Sequence, residues 1–254
     1  MNETIISVKN LVKNYDKIKA VKGISFDVHK GEIFGLLGPN GAGKTTTLEI
    51  METLVEKTSG EVIIDGFSIE KNQNEIKKII GVQLQAAGYY PNLYLIELLE
   101  LFAGLYNVES DPMEMLKLVN LEEKAKAKFK ELSGGQKQRF SICTTLINNP
   151  KIIFLDEPTT GLDPQARRNL WELIQKINST GTTIMLTTHY MDEAEILCNR
   201  VGIIDNGIII SIDSPDNLID DLVKSGFERP KQIKNASLED VFLHLTGKEI
   251  RENS

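Results

Sequence analysis

A glycine-rich segment between a predicted strand and a predicted helix is the feature that most constrains the fold. Residues 38–45, the phosphate-binding loop, read GPNGAGKT and match the pattern G-x-x-x-x-G-K-[ST] at every fixed position. The apolar run EIFGLL precedes this loop, and the helix-like run TTTLEIMETL follows it. Glycines allow successive backbone N–H groups to converge on one anion, and the helix N-terminus adds partial positive charge. This arrangement predicts a loop that binds the phosphates of a nucleoside triphosphate.

Two side chains of the loop add chemistry to this prediction. Lys44 is a mobile cation suited to the β- and γ-phosphates, and the hydroxyl group of Thr45 is suited to Mg²⁺. The other loop residues expected around the phosphates are Gly38, Pro39, Asn40, Gly41, Ala42, Gly43 and Thr46.

The apolar run KIIFLDEP predicts the acidic half of the same site. Residues 152–155 form a predicted buried strand with Asp156 at its carboxyl end, where ligands of open α/β sheets bind. We expect Asp156 to hold Mg²⁺ through water molecules and Glu157 to polarise the attacking water as a general base. Two adjacent carboxylates near a triphosphate would repel each other without a metal ion. The sequence therefore predicts Mg²⁺ as part of the site.

The distribution of apolar residues predicts an α/β protein with three structural parts. The runs EIFGLLG, IIGVQLQ, KIIFLDE and TTIMLTTH are apolar on both faces, which favours a mainly parallel sheet covered by helices. The first thirty residues and GEVIIDGFSI alternate in polarity, which favours a small antiparallel sheet with a turn at Asp65-Gly66. Helical patterns alone fill residues 86–149, which predicts an inserted helical subdomain.

The end of the chain predicts a hairpin and a helical extension. VGIIDNGIIISID is typical of a hairpin that turns at Asn206-Gly207, and PDNLIDDLV and SLEDVFLHLTGKEIREN are typical of amphipathic helices. We therefore expect one domain over residues 1–215 and a helical C-terminal extension over residues 216–254.

Charge and hydropathy exclude several classes of protein. The 254 residues carry a formal net charge of −7, so no nucleic-acid partner is expected. No apolar run approaches the roughly 20 residues that span a membrane, and the N-terminal MNETIISVKN lacks the features of a secretory signal. Cys143 and Cys198 have no metal-like or redox-like spacing. These observations predict a cytosolic protein with two buried thiols.

A second glycine pair lies in LSGGQ, residues 132–136, the signature segment. It has the composition of another phosphate-binding segment at the start of a predicted helix. Together with GPNGAGKTT, LDEP, TGLD and TTH in this order along the chain, it resembles the nucleotide-binding subunits of ABC transporters. The resemblance covers nearly the whole chain, and the signature segment carries most of its specificity. It implies a P-loop NTPase core that binds and hydrolyses ATP.

The resemblance implies that the signature segment serves the ATP of another molecule. In relatives, two subunits meet head to tail, and each signature segment closes over the γ-phosphate held by the other subunit. Ser133 is then expected to cap the following helix, so that the amides of Gly134 and Gly135 point outward at an anion. Gln136 is expected to contact the sugar or phosphate across the interface. The implied partner is a second ATP-binding subunit, either identical or related.

Further site residues follow from the same resemblance. Tyr15 matches the aromatic residue that stacks on adenine, and His189 matches the histidine that contacts the γ-phosphate. Asp163 is expected at the dimer seam. Gln85 matches the glutamine that reaches the metal ion and the attacking water. Gln83 lies on the same face of the strand by alternation, which leaves two candidates, although the distance to YYPNL favours Gln85.

The segments TTHYMDEAEILCNRVGIIDNG and SLEDVFLHLTGKEIRE further resemble ATPases that pair with ABC-2-type exporter permeases. This resemblance implies a separate transmembrane permease subunit, export as the direction of transport, and a position on the cytoplasmic face of the cell membrane. The candidate docking groove contains Tyr89, Tyr90 and the helix beginning near Leu93. Alternatively, the two tyrosines pack the joint of the helical subdomain.

Two other functions compete with transport. A soluble ABC-type ATPase acting on ribosomes or nucleic acid would carry long coiled-coil insertions or a second nucleotide cassette, and this chain has neither. A nucleotide-dependent regulatory protein that only dimerises would not need intact Glu157 and His189. Both observations favour a hydrolysing transporter subunit.

Overall fold

The structure, a computed structural model, describes residues 3–83 and 88–227 of the chain. In chain order its elements are β1 (Thr4–Tyr15), β2 (Ile18–His29), β3 (Ile33–Leu37), α1 (Lys44–Met51), β4 (Ser59–Ile64), β5 (Phe67–Ser68), α2 (Gln73–Ile79), β6 (Ile80–Gln83), α3 (Leu95–Tyr106), α4 (Pro112–Leu118), α5 (Gly134–Thr145), β7 (Ile152–Asp156), α6 (Pro164–Asn178), β8 (Thr183–Thr188), α7 (Met191–Leu197), β9 (Arg200–Asp205), β10 (Ile208–Asp213) and α8 (Pro215–Lys224). Short 3₁₀ turns at Glu122–Lys124 and Phe129–Glu131 lie between α4 and α5.

The larger sheet has six strands in the order β10-β9-β3-β8-β7-β6. The pairs within β9-β3-β8-β7-β6 are parallel, and only β10 runs antiparallel to its neighbour β9. All the runs predicted to be parallel strands lie in this sheet, so the predicted mainly parallel core is confirmed. The turn between β9 and β10 is made by Asn206 and Gly207, whose φ angles of 49° and 78° are those of a two-residue hairpin turn.

The smaller sheet is antiparallel, with strands in the order β2-β1-β4-β5. Its β4–β5 hairpin turns at Asp65 and Gly66, both with positive φ. The predicted antiparallel sheet and the position of its turn are therefore confirmed.

Strand β7 shows why the predicted parallel strands are apolar on both faces. Ile152 and Phe154 pack into a core shared with the smaller sheet, whereas Ile153 and Leu155 pack into a second core beneath the helices. Every residue of β7 is buried. Because side chains alternate along a strand, burial on two sides requires an unbroken apolar run. Asp156, the polar end of this run, is thereby placed at the carboxyl edge of the sheet.

Helices fill the described chain between β6 and β7, which confirms the predicted α-helical subdomain. Tyr89 lies in an aromatic cluster there, with ring centroids 4.3 Å from Phe129, 5.4 Å from Phe140 and 6.0 Å from Phe102. Its hydroxyl group is within hydrogen-bond distance of side chains on α5. Tyr89 therefore packs the joint of the subdomain, and only Tyr90, 66% exposed, presents its ring to solvent.

The described residues up to Leu218 belong to one compact unit, and a second unit begins at Ile219 within α8. The segment SLEDVFLHLTGKEIREN, predicted to be helical, lies outside the described residues. Across residues 3–83 and 88–227, no helix is both long and apolar enough to cross a membrane.

Candidate functional site: a nucleotide cleft and a separate signature segment

The phosphate-binding loop joins β3 to α1 and is shaped by positions that only glycine fits. Gly43, the residue before α1, has a φ of 100°. A Cβ atom there would lie 2.5 Å from the carbonyl oxygen of Ala20, and one at Gly38 would lie even closer to the carbonyl oxygen of Ile204. The backbone of β2 and of the β9–β10 hairpin therefore presses against the loop. This close packing holds the loop at the carboxyl edge of the larger sheet.

Lys44, the first residue of α1, is 4% exposed and is held inside the site. Its ammonium group donates hydrogen bonds to the carbonyl oxygens of Gly38 (2.8 Å) and Pro39 (3.2 Å). It also forms an ion pair with Oε1 of Glu157 at 3.2 Å. Because burial of an unpaired charge is costly, these partners fix the cation at the mouth of the loop.

Asp156 lies at the end of β7 and gathers two hydroxyl groups. The hydroxyl of Thr45 lies 3.2 Å from both carboxylate oxygens of Asp156. Thr187 of β8 donates a second, short hydrogen bond to Oδ1 of Asp156. The site therefore brings oxygen donors from the phosphate-binding loop and from two neighbouring strands to one point.

Glu157 sits at the centre of the charged groups, in a backbone conformation that non-glycine residues seldom adopt. Its φ is 46°, and its amide donates to the backbone and the hydroxyl of Thr187. Such strain is typical of functional positions. Nδ1 of His189 lies 3.2 Å from Oε2 of Glu157, which allows an ion pair when the imidazole is protonated but lacks hydrogen-bond geometry.

Opposing effects set the charge state of Glu157. Burial raises the pKa of its carboxyl group, but the hydrogen bond and charge of Lys44, together with the contact to His189, outweigh that effect. The pKa of Glu157 is therefore lowered from its ordinary value, and the group is a carboxylate at neutral pH.

These residues open onto a cleft of about 770 Å³. The residues that line it are Tyr15, Ile18, Lys19, Ala20, Lys22, Asn40, Gly41, Gly43, Lys44, Thr45, Thr46, Glu157, Thr160, His189 and Asn206. The volume and the mixture of one exposed aromatic ring, a glycine-rich loop and charged groups suit a nucleoside triphosphate. Among the described residues, none of the signature segment lines the cleft.

The signature segment forms a hydrogen-bonded cap at the start of α5. The hydroxyl of Ser133 accepts a hydrogen bond from the amide of Gln136 at 3.3 Å, and Oε1 of Gln136 accepts one from the amide of Ser133 at 2.9 Å. This reciprocal arrangement satisfies the two amides of Ser133 and Gln136, while the amides of Gly134 and Gly135 are left in the first turn without an intrahelical acceptor. Ser133 and Gly134 are exposed, so these donors are available to an anion outside the chain.

Comparisons with known proteins agree with this geometry. The family described as ABC transporter matches residues 21–160. The linearmycin resistance ATP-binding protein LnrL of Bacillus subtilis is 41% identical to this chain, over 84% of this chain and 70% of that protein. The Nod factor export ATP-binding protein I of Burkholderia thailandensis is 34% identical, over 99% of this chain and 100% of that protein.

The chain belongs to the ABC transporter family. A dimeric, post-hydrolysis structure of the ATP-binding cassette MJ0796 bound to ADP and Pi resembles it with a TM-score of 0.74 and 31% identity, over 82% of this chain and 98% of that chain. The ABC ATP-binding subunit described here is accordingly an ATPase with an α/β P-loop NTPase core, as the sequence predicted.

The ABC cassette fold brings together most of the residues predicted for the cleft. Tyr15, Lys44, Thr45, Glu157 and His189 all line it, and so do Asn40, Gly41, Gly43 and Thr46. Gly38, Pro39 and Ala42 belong to the same loop but do not line the cleft. Asp156 does not line it either, and its carboxylate accepts a hydrogen bond from Thr45. Their roles in the reaction stay predictions, since contacts alone do not establish them.

The remaining predicted residues lie apart from the cleft or outside the described chain. Asp163 caps α6, where its carboxylate accepts a hydrogen bond from the amide of Ala166 at 2.8 Å. Gln85 lies outside the described residues. Gln83, the other candidate, is buried and donates a hydrogen bond to Gln138 of α5 at 2.8 Å. Its side chain therefore ties β6 to the helical subdomain.

Sequence reasoning missed the part of the ABC cleft that comes from β2 and from the last hairpin. Ile18, Ala20 and Lys22 lie directly after Tyr15 in the chain, on the strand that pairs with β1. Asn206 was assigned only as a turn residue. The sequence could have indicated these residues, because β2 pairs with β1 next to Tyr15 and therefore borders the same cleft.

Proposed function

We propose that this chain binds and hydrolyses ATP between two ATP-binding subunits and thereby powers export through a separate membrane permease. The observation that carries the proposal is that, among the described residues, the signature segment does not line the cleft that contains the phosphate-binding loop. The cleft has its own cation, base and glycine loop, whereas the signature segment offers exposed helix-end amides that its own cleft does not use. A second subunit gives those amides a phosphate to bind.

Within the cleft, we assign each side chain a role. Lys44 binds the β- and γ-phosphates, Glu157 accepts a proton from the attacking water, and His189 contacts the γ-phosphate. A triphosphate competes with Glu157 for Lys44, and loss of that ion pair raises the pKa of Glu157 toward the range of a useful base. ATP binding thus makes Glu157 more basic and better able to activate the water that attacks the γ-phosphate.

The donor groups beside the phosphate-binding loop fit Mg²⁺. Thr45 and Asp156 supply hard oxygen atoms within 3.2 Å of each other, and Mg²⁺ prefers few protein ligands together with phosphate oxygens and water. When bound, the ion would neutralise phosphate charge. Gln85 is the predicted third ligand.

The partners of this subunit follow from its relatives. The relatives from Bacillus subtilis and Burkholderia thailandensis are named for linearmycin resistance and for Nod factor export, which supports the export direction and a permease partner here. A permease would hold the subunit at the cytoplasmic face of the membrane. The second ATP-binding subunit is either a second copy of this chain or a related one. The domain is proposed to cover residues 1–215, with residues 216–254 as an extension.

The test is to purify the tagged full-length chain from native membranes in mild detergent and to identify what accompanies it by mass spectrometry. A polytopic membrane protein recovered in comparable amount supports the proposal. Recovery of ribosomes would favour the ribosome-directed ATPase instead. A chain recovered alone, from the soluble fraction only, would refute a stable permease complex.

A matched pair of variants locates the contact with the permease. Tyr90→Ala removes the 66% exposed ring near the predicted docking groove, and Ile210→Ala truncates a side chain of the same exposure on β10, away from the helical subdomain. We expect Tyr90→Ala alone to reduce recovery of the membrane protein. Equal recovery with both variants would place the contact elsewhere on the chain.

A further inference from the structure

The imidazole of His189 has two close contacts, the 3.2 Å approach of Nδ1 to Oε2 of Glu157 and a stack on Tyr190. Among the described residues, Nδ1 of His189 has no hydrogen-bond partner. The ring instead packs on its neighbour Tyr190, with centroids 4.1 Å apart and planes inclined at 38°. The orientation of the imidazole toward the cleft therefore depends on what holds Tyr190 as well as on Glu157.

Arg167 of α6 holds Tyr190. The guanidinium carbon lies 4.5 Å from the centre of the Tyr190 ring, within the range of a cation–π contact. The Arg167 side chain is 21% exposed, and Nη1 reaches Oδ2 of Asp192 at 3.4 Å. A planar guanidinium can cover an aromatic face in a way that an ammonium group cannot.

The charge of Arg167 also acts on a buried carboxyl group of α7. Glu193 is fully buried, and its Oε1 accepts a hydrogen bond from Nε1 of Trp171 at 3.1 Å. Burial raises the pKa of Glu193, whereas the neighbouring Thr188, Thr159 and Trp171 side chains and the charge of Arg167 lower it in part. The positive charge of Arg167 therefore acts on the buried carboxyl group of Glu193.

We propose that Arg167 is a positioning residue for ATP hydrolysis, which holds His189 in the cleft by clamping Tyr190. The proposal rests on the role assigned above to His189. Arg167 is also anchored to the helix start, because its amide donates a hydrogen bond to the carbonyl oxygen of Asp163 at 3.0 Å. The clamp therefore connects the γ-phosphate contact to the helix that Asp163 caps.

Steady-state ATP hydrolysis by the full-length chain tests the clamp. Arg167→Ala should lower kcat by about 10- to 100-fold, the cost of a misplaced catalytic group, with KM for ATP changed by less than about twofold. Arg168→Ala is the matched control, because Arg168 is an exposed neighbour on the same helix. A normal kcat in Arg167→Ala would overturn the proposal.

Two conservative variants separate stacking from the ion pair. Asp192→Asn removes the 3.4 Å ion pair and leaves the stack, so it should retain kcat. Arg167→Lys keeps the charge and loses the planar surface, so it should recover little of kcat. Full activity in Arg167→Lys, together with a loss in Asp192→Asn, would show that charge and not stacking matters. These variants also test the clamp if Arg167→Ala folds poorly.

The imidazole resonances report position directly, because the chain has 3 histidines. Arg167→Ala should shift the resonance of His189 and leave those of His29 and His244 unchanged. In a His189→Ala background, Arg167→Ala should cause no further loss of kcat. An unshifted His189 resonance, or a fully additive loss, would overturn the clamp. Full activity in His189→Ala alone would instead refute the role of His189.

Discussion

The phosphate-binding loop and the signature segment differ in what they offer to the anions that we propose they bind. The loop encloses its functional side chain: Lys44 is 4% exposed and contacts two carbonyl oxygens and Glu157. The signature segment has no such side chain in a cleft, and Ser133 and Gln136 use their polar groups to bond each other. The groups that the signature segment leaves available to a partner are the backbone amides of Gly134 and Gly135.

This difference shows which segment is complete in one molecule. The proposed cation, base and metal ligands of the loop's cleft come from α1, from the end of β7 and from the residue after β7, so we expect one chain to suffice for binding a nucleotide. The signature segment has helix-end amides and no ligand of its own within the chain, so it becomes a site only against a second surface. Variants in the two regions should therefore differ in which step of the cycle they affect.

The largest expected effect comes from the base of the cleft. Glu157→Gln should lower kcat by roughly 10²- to 10⁴-fold, because the amide cannot accept the proton from water. ATP should still bind, and an ATP-bound dimer should accumulate in size-exclusion chromatography. Glu195→Gln, on an exposed position of α7, is the control and should hydrolyse ATP normally. Hydrolysis at the normal rate by Glu157→Gln would show that another group is the base.

The next effect concerns Glu52, a buried carboxyl group close enough to Asp156 for its pKa to respond to that charge. Burial and the charges of Asp156 and Glu49 raise the pKa of Glu52 to about 8, so the folded chain keeps this group protonated while the unfolded chain ionises it near its ordinary value of 4.5. The unfolded state then binds fewer protons, and stability falls as pH rises from about 4.5 to 8.

Glu52→Gln should remove this loss. Between pH 6 and pH 8 the unmodified chain should lose roughly 2 kcal/mol more unfolding free energy than the variant. Urea unfolding in buffer without nucleotide or metal measures the difference. Equal pH dependence of the two proteins would mean that Glu52 is already ionised in the folded chain.

A smaller effect is expected where the signature segment packs on α6. A Cβ atom at Gly135 would lie 2.9 Å from that of Ala166, so Gly135→Ala must displace one of the two helices. We expect a loss of about 1–3 kcal/mol in unfolding free energy and reduced hydrolysis, with unchanged binding of a fluorescent ATP analogue.

Gly104→Ala is the control for Gly135→Ala, because open space surrounds the added methyl group in α3. It should stabilise the chain slightly, since alanine favours a helix. If both variants lose the same stability, crowding at Ala166 does not explain the effect of Gly135→Ala.

The smallest expected effect is loss of the helix cap. Ser133→Ala should lower the unfolding free energy by about 1 kcal/mol and leave nucleotide binding by the cleft unchanged. Ser179→Ala is the control, at the C-terminal end of α6. It should change stability less, because the Ser179 hydroxyl donates to a carbonyl oxygen and caps no amide. Weakened nucleotide binding in dilute Ser133→Ala would contradict the separation of the two regions.

Local patterns predicted much of this molecule because the features they describe are local. Asp65-Gly66 and Asn206-Gly207 specify hairpin turns through their tolerance of positive φ, and Ser133 specifies a cap through one short hydrogen bond. The apolar run of β7 predicted a strand buried on both faces because burial requires that composition.

The contacts that sequence reasoning did not find join residues far apart in the chain. The pair Lys44–Glu157, the bond from Thr187 to Asp156, and the stack of Arg167 on Tyr190 depend on how β7, β8 and α6 come together. No periodicity within a single segment encodes such distances. For the same reason the sequence does not decide whether Tyr89 packs the subdomain or docks a permease. The aromatic rings that surround it come from α3 and α5, which meet only in the folded chain.

The absence of the signature segment from its own cleft, among the described residues, has a genetic consequence. In the proposed dimer, when both subunits are copies of this chain, a loop defect on one copy and a signature defect on the other fall on the same composite site. The other site then receives an intact loop from one copy and an intact signature from the other. Two inactive alleles can therefore restore partial activity when expressed together, whereas two alleles with defects in the same segment cannot.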